Sequence, residues 1–149
     1  MKRQLPDVSV LFALFWGPHQ HNGMAQSWFE NLGCQAWATN AITQLGVLRL
    51  LTNAVITRNA ISPARALFLL SESIQHQAHE FWPLDHVTAT SLKPGISRIR
   101  GHRQWTDAAL LSQVAERDGV LVTLDAGIKE LAPNELKNRV LLLNSAETK

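Results

Sequence analysis

The run Val120-Leu121-Val122-Thr123-Leu124 carries no charge, is closed by Asp125, and leads into a helix-forming stretch, Ala126 to Leu131. A short strand that is apolar along its whole length has to be covered on both faces, which places it inside a sheet layered between helices. Val140 to Leu143 repeats the pattern after that short helix. Upstream, Leu5 to Val8, Cys34 to Ala38 and Glu80 to Trp82 read as further short strands or strand ends. Helical patterns fill the gaps: Val10 to Trp16, Met24 to Leu32, Ala41 to Asn53, and a helix opened by Ser62-Pro63 that runs to about His76. Ser62 is a favoured cap, and proline is favoured at the first helical position. Thr106 to Asp118 is amphipathic, with Leu110, Leu111, Val114 and Ala115 on one stripe,. Val87 to Gln104 is punctuated by Gly and Pro and reads as loop with one helical turn,. Strands alternating with helices predict an α/β fold with a parallel sheet, whose functional groups collect beyond the carboxyl ends of the strands.

Length and charge narrow the reading further. With 149 residues, 46% hydrophobic and 17% charged, the chain is expected to form one globular domain spanning 1–149,. Net charge is 14 − 12 = +2, which permits a polyanionic partner without demanding one,. Cys34 is the sole cysteine, so neither an internal disulfide nor a cysteine metal cage is available, and a reducing compartment is the default,. The apolar run Val10 to Trp16 is far shorter than the ~20 residues that span a bilayer,. Pro6 and Asp7 also interrupt the place where a signal peptide would begin,. The expectation is a cytoplasmic, unprocessed protein with no membrane association.

Three of the five aspartates occupy related places. Asp7 and Asp125 each follow an apolar strand and precede a helix. Asp107 lies in a first helical turn, and counting four and seven residues on reaches Leu111 and Val114, so it faces the core side,. Each alone fits a capping residue that complements the helix dipole. Aimed at one edge of the sheet, three carboxylates would repel one another, and a hard divalent cation such as Mg²⁺ or Mn²⁺ is the usual remedy. Gln44 shares a helical face with Leu48 and Leu51 and needs a hydrogen-bond partner, backbone being the simplest,. Residues 86 to 106 contain no acidic side chain but hold Lys93, Arg98, Arg100, His102 and Arg103, a basic stretch ending just before Asp107. It suits either a solvated loop or a phosphate-holding element. The histidines show no metal-ligand spacing, and no phosphate-binding Gly-rich loop or nucleophile elbow is present,.

Four segments in order, Leu5-Pro6-Asp7-Val8-Ser9-Val10-Leu11, Thr43-Gln44-Leu45-Gly46-Val47-Leu48-Arg49, Gly101-His102-Arg103-Gln104-Trp105-Thr106-Asp107-Ala108-Ala109-Leu110-Leu111 and Val122-Thr123-Leu124-Asp125-Ala126-Gly127, resemble the PIN-domain ribonucleases. More narrowly, they resemble the VapC toxins of bacterial toxin–antitoxin pairs. The resemblance covers about the whole chain. It implies a three-layer α/β/α sandwich around a five-stranded parallel sheet, and an acidic pocket that binds Mg²⁺ or Mn²⁺ and cuts RNA. Asp7, Asp107 and Asp125 match the family's metal-site aspartates. Gln44 stands where many members carry a glutamate, which removes one negative charge and implies weaker metal binding. Ser9 replaces a frequent asparagine, and Thr106 and Thr123 are candidates to orient the carboxylates through hydrogen bonds. Arg100, His102 and Arg103 are candidates for RNA backbone contacts, and Trp105 for stacking on a base. The family further implies a small antitoxin protein as partner, and a second copy of the chain as a homodimer.

Three other readings stay open on the residues alone. One is a catalytically weak PIN-like domain that binds RNA or protein, which Gln44 favours. A phosphotransfer receiver also clusters aspartates at strand ends, but needs a lysine after a late strand, whereas Lys129 sits within the helix after Asp125. A dehalogenase-like phosphatase needs an Asp-x-Asp pair, and Asp7 is followed by Val8-Ser9.

Overall fold

The computed structural model describes residues 2–144. Five strands form one all-parallel sheet: β1 (Gln4–Pro6), β2 (Trp37–Thr39), β3 (His79–Phe81), β4 (Val120–Thr123) and β5 (Val140–Leu142). Their spatial order is β3-β2-β1-β4-β5. The helices are α1 (Val8–Phe15), α2 (Asn22–Leu32), α3 (Ala41–Leu51), α4 (Ala54–Thr57), α5 (Pro63–Ile74), α6 (Gln104–Glu116) and α7 (Ala126–Leu131), with 3₁₀ turns at Lys93–Arg98 and Asn134–Arg139.

Alternation along each strand builds the three layers. Leu5, Ala38, Leu121 and Val140 face a core made with Leu110, Leu111 and Val114 of α6 and Ile128 and Leu131 of α7. Trp37 and Val122 face the opposite core, made with α1, α2, α3 and α5 through Val10, Leu11, Trp28, Val47 and Leu70. The expected α/β/α sandwich with a five-stranded parallel sheet is therefore the fold.

Helix starts follow capping chemistry. Asp7 accepts from the Val10 N–H, Asn40 forms a reciprocal box with Thr43, Ser62 caps ahead of Pro63, and Asp125 accepts from the Gly127 N–H. Several boundaries differ from those expected. β1 stops at Pro6 rather than Val8, because Asp7 already caps α1. β2 lies at Trp37–Thr39 rather than starting at Cys34, and α6 begins at Gln104 rather than Thr106. Pro6 is tolerated in the middle strand because β1 pairs with β2 only at Gln4↔Trp37,.

The order of the strands positions the site. Sequence runs outward from β1 in both directions, so β1 and β4 are neighbours whose following helices, α1 and α7, leave toward opposite faces. Such a switch point opens a crevice at the carboxyl ends of the two strands.

Candidate active site

Asp7 leaves the end of β1 and Asp125 follows the end of β4, one on each side of that crevice. The Asp7 N–H still donates to the Val122 carbonyl at 2.9 Å, so its backbone continues the ladder before turning into α1. Asp7 is 4% exposed, and its carboxylate accepts three hydrogen bonds: Oδ1 from Ser9 Oγ (2.6 Å) and Val10 N (3.0 Å), and Oδ2 from Thr123 Oγ1 (2.5 Å). Burial raises the Asp7 pKa above the ordinary carboxylate value; the three hydrogen bonds pull against this, and the charge on Asp125 adds to the rise,.

Thr123 links the two strand-end aspartates. Its hydroxyl donates to Asp7 and accepts from the Asp125 backbone N–H at 2.9 Å. Ser9 bridges in a similar way, donating to Asp7 while accepting from the Leu124 N–H at 3.3 Å. Thr106, expected to orient a carboxylate, does not: it is exposed and donates to none of the three. Adjacent helical residues point about 100° apart, so Thr106 turns outward where Asp107 turns inward.

Asp107 differs from the other two. Asp7 and Asp125 both cap helices, as capping chemistry alone would have them do, but the partly buried Asp107 carboxylate has no hydrogen bond or ion pair among the described residues. Burial, then the charges of Asp7 and of Asp125, push its pKa up to about 6. An unpartnered, partly buried carboxylate in the field of two others is a costly arrangement in a folded chain and a frequent mark of a functional site,.

No three His, Cys, Asp or Glu side chains among the described residues stand close enough to form a ready-made ion cage. The donor chemistry still suits Mg²⁺ or Mn²⁺, because such ions are usually held by one or two carboxylates and keep several waters. Mutual repulsion at Asp107 is what a cation there would relieve,.

Gln44 sits in α3, but its partner is not backbone. Its Nε2 donates to Thr39 Oγ1 at 2.9 Å, and that buried hydroxyl also bonds His79 Nε2 at 2.8 Å. The His79 pKa is lowered, first by burial, which favours the uncharged ring beside Thr39,. A second buried network escaped the sequence reading. Asn40 Nδ2 donates to Gln113 Oε1 at 2.6 Å, and Gln113 Nε2 donates to the Pro83 carbonyl at 2.9 Å, which pins α6, and with it Asp107, to the end of β2. Isolated amides at Asn40 and Gln113 carry no signal in sequence that they will meet.

The basic stretch divides. Arg98 and Arg100 line a cleft facing α7, while His102 and Arg103 are exposed and outside it. Trp105 is 44% exposed, which leaves its ring open to solvent.

A PIN-domain family model matches residues 5–133, an interval that includes all three aspartates. This chain belongs to the PIN-domain family. Its similarity to curated relatives runs along most of both chains. Ribonuclease VapC39 of Mycobacterium tuberculosis is 34% identical over 128 residues, 86% of this PIN domain and 92% of the relative. Ribonuclease VapC38 of the same organism is 35% identical over 139 residues, 93% and 96% of the two chains. Ribonuclease VapC44 is 35% identical over 126 residues, 85% and 88%.

Proposed function

We propose that this PIN domain is a Mg²⁺- or Mn²⁺-dependent endoribonuclease acting as the toxin of a toxin–antitoxin pair. The observation that carries the reading is Asp107, unpartnered and raised to about pKa 6 by burial beside Asp7 and Asp125 at the switch point. Asp7 and Asp107 are the principal candidates to hold the ion, with Asp125 completing the site directly or through water. A divalent ion bound there supplies Lewis-acid charge neutralisation and a more acidic water for phosphodiester hydrolysis.

The chain's own residues set the stage. Ser9, Thr123 and the Val10 N–H hold the Asp7 carboxylate in one orientation, and the Gly127 N–H does the same for Asp125. Arg100 and Arg103 offer cations and His102 a ring nitrogen to the RNA backbone, and the exposed Trp105 ring offers a stacking face,. Hydrolysis in this arrangement leaves 5′-phosphate and 3′-hydroxyl ends.

The reading extends to a single domain over 1–149, a cytoplasmic location, a small antitoxin that places a basic side chain in the acidic crevice, and a homodimer. No helix among the described residues is long and apolar enough to cross a membrane. The test is incubation of purified protein with total RNA in Mg²⁺, Mn²⁺ or EDTA, beside Asp7→Asn and Asp107→Asn. Cleavage that needs the metal and is lost in both variants is expected; full metal-dependent cleavage by Asp7→Asn overturns the assignment. Gln44, engaged with Thr39 and carrying no charge, favours a second reading: a weakly catalytic PIN-like binding domain, which predicts no specific Mn²⁺ binding in titration.

A further inference from the structure

We propose that the cleft between residues 97–104 and α7 is a phosphate subsite for the RNA strand, with Arg98 and Arg100 as its cationic groups. This rests on the ribonuclease reading above. The cavity measures about 220 Å³, with Ser97, Arg98, Arg100 and Gln104 on one side and Gly127 and Glu130 on the other. It adjoins the candidate active site at two points. Gln104 lies one helical turn before Asp107 on the same face of α6,. Gly127, across the cleft, gives its N–H to the Asp125 carboxylate at 2.8 Å.

The donors there are largely unspent. Arg98 uses Nη1 in one long contact, 3.4 Å to the Ala132 carbonyl, out of five guanidinium N–H groups,. Arg100 forms no ion pair among the described residues, and its backbone N–H takes up Gln104 Oε1, which leaves the Gln104 amide N–H₂ as a donor. Glu130 opposes an anion, but it pairs with neither arginine, and two cations against one carboxylate leave the cleft net positive. Guanidinium groups with a hydroxyl and an amide suit the tetrahedral oxygens of a phosphodiester. A strand whose scissile phosphate lies among the aspartates carries its next phosphates within reach of this cleft. An acidic peptide has no group that would draw it to those aspartates.

The test measures binding of a fluorescein-labelled single-stranded oligouridylate in EDTA, across a salt titration, by wild type, Arg98→Ala/Arg100→Ala and Arg98→Lys. Losing one phosphate contact lowers the salt slope by about 0.7, and about tenfold weaker binding by the double variant is expected at moderate salt. Arg98→Lys, which keeps the charge, retains the wild-type slope. Arg65→Ala, which removes an arginine stacked over Phe68 on the opposite layer, leaves affinity and slope unchanged. Thermal melts of the same preparations exclude unfolding as the cause. If the double variant keeps wild-type affinity and slope while wild type cleaves RNA with metal, the subsite is overturned and the ribonuclease stands. Wild type that neither binds nor cleaves RNA overturns the ribonuclease reading and the subsite with it. Polyglutamate that displaces the RNA, with a dependence on both arginines, assigns the cleft to an acidic peptide and also overturns the proposal.

Discussion

Replacing Asp107 by asparagine should make the metal-free protein more stable while abolishing its activity. Asparagine matches the shape of the carboxylate but removes the charge that burial and the neighbouring Asp7 and Asp125 oppose. The rise from 3.8 to about 6 corresponds to about 3 kcal/mol if every unit counts fully,. Asp107 is only partly buried, and solvent screening brings the expected gain to about 1–1.5 kcal/mol. Because the folded-state pKa is raised, the folded chain binds more protons than the unfolded one between 3.8 and about 6. The penalty of the wild-type carboxylate therefore grows as pH rises through that window, is complete above it, and vanishes below it. In EDTA near neutral pH, Asp107→Asn should melt roughly 3–5 °C above wild type, and the difference should close at about pH 4. Saturating Mg²⁺ or Mn²⁺ should stabilise wild type and leave the variant unmoved, because only a ligand for the folded state shifts the melt. Asp107→Asn melting at or below wild type in EDTA would refute the reasoning that this carboxylate is held against its own electrostatics.

Two further substitutions probe the surroundings of the site. Gln44→Glu adds a carboxylate near the end of β2, where Gln44 meets Thr39, and should tighten Mn²⁺ binding several-fold in titration; an unchanged affinity would place residue 44 outside the field of the ion,. Gly119→Ala sets a methyl 2.8 Å from the buried Trp82 ring and 3.1 Å from the Arg3 carbonyl. Overpacking of that kind should cost about 1–3 kcal/mol in chemical denaturation, and a neutral result would mean that Trp82 can move aside.

Much of the fold was readable because it rests on local rules. Val120 to Leu124 had to be a buried strand, and Ser62-Pro63 had to start a helix. Asp7 and Asp125 stood out because each follows an apolar strand where a parallel sheet keeps its functional edge, and Asp107 because its place in a first helical turn faces the core-side stripe. What stayed hidden depends on tertiary contact. That Thr123 spans Asp7 and Asp125, and that Gln44 reaches Thr39 rather than backbone, follow from distances between elements remote in sequence. The boundary at Thr106 was missed because Arg103 precedes α6 without any side-chain cap bond, so no capping signal marks its start. The fate of the basic stretch was equally hidden, since its spacing does not say which arginines turn toward α7.

The passage from β3 to β4 is the one crossing that carries the chain from one half of the sheet to the other. It brings Arg98, Arg100 and Asp107 on a single excursion, whereas Asp7 and Asp125 are anchored at the ends of neighbouring strands. The crevice is thus assembled from two strand ends and one long connection. Changes in the length or charge of residues 83–103 leave the hydroxyl bridge of Thr123 untouched, because that bridge joins Asp7 to Asp125 directly. Because Asp107 rides on the connection while Asp7 and Asp125 sit at strand ends, a change in the length of that connection moves one carboxylate relative to the other two.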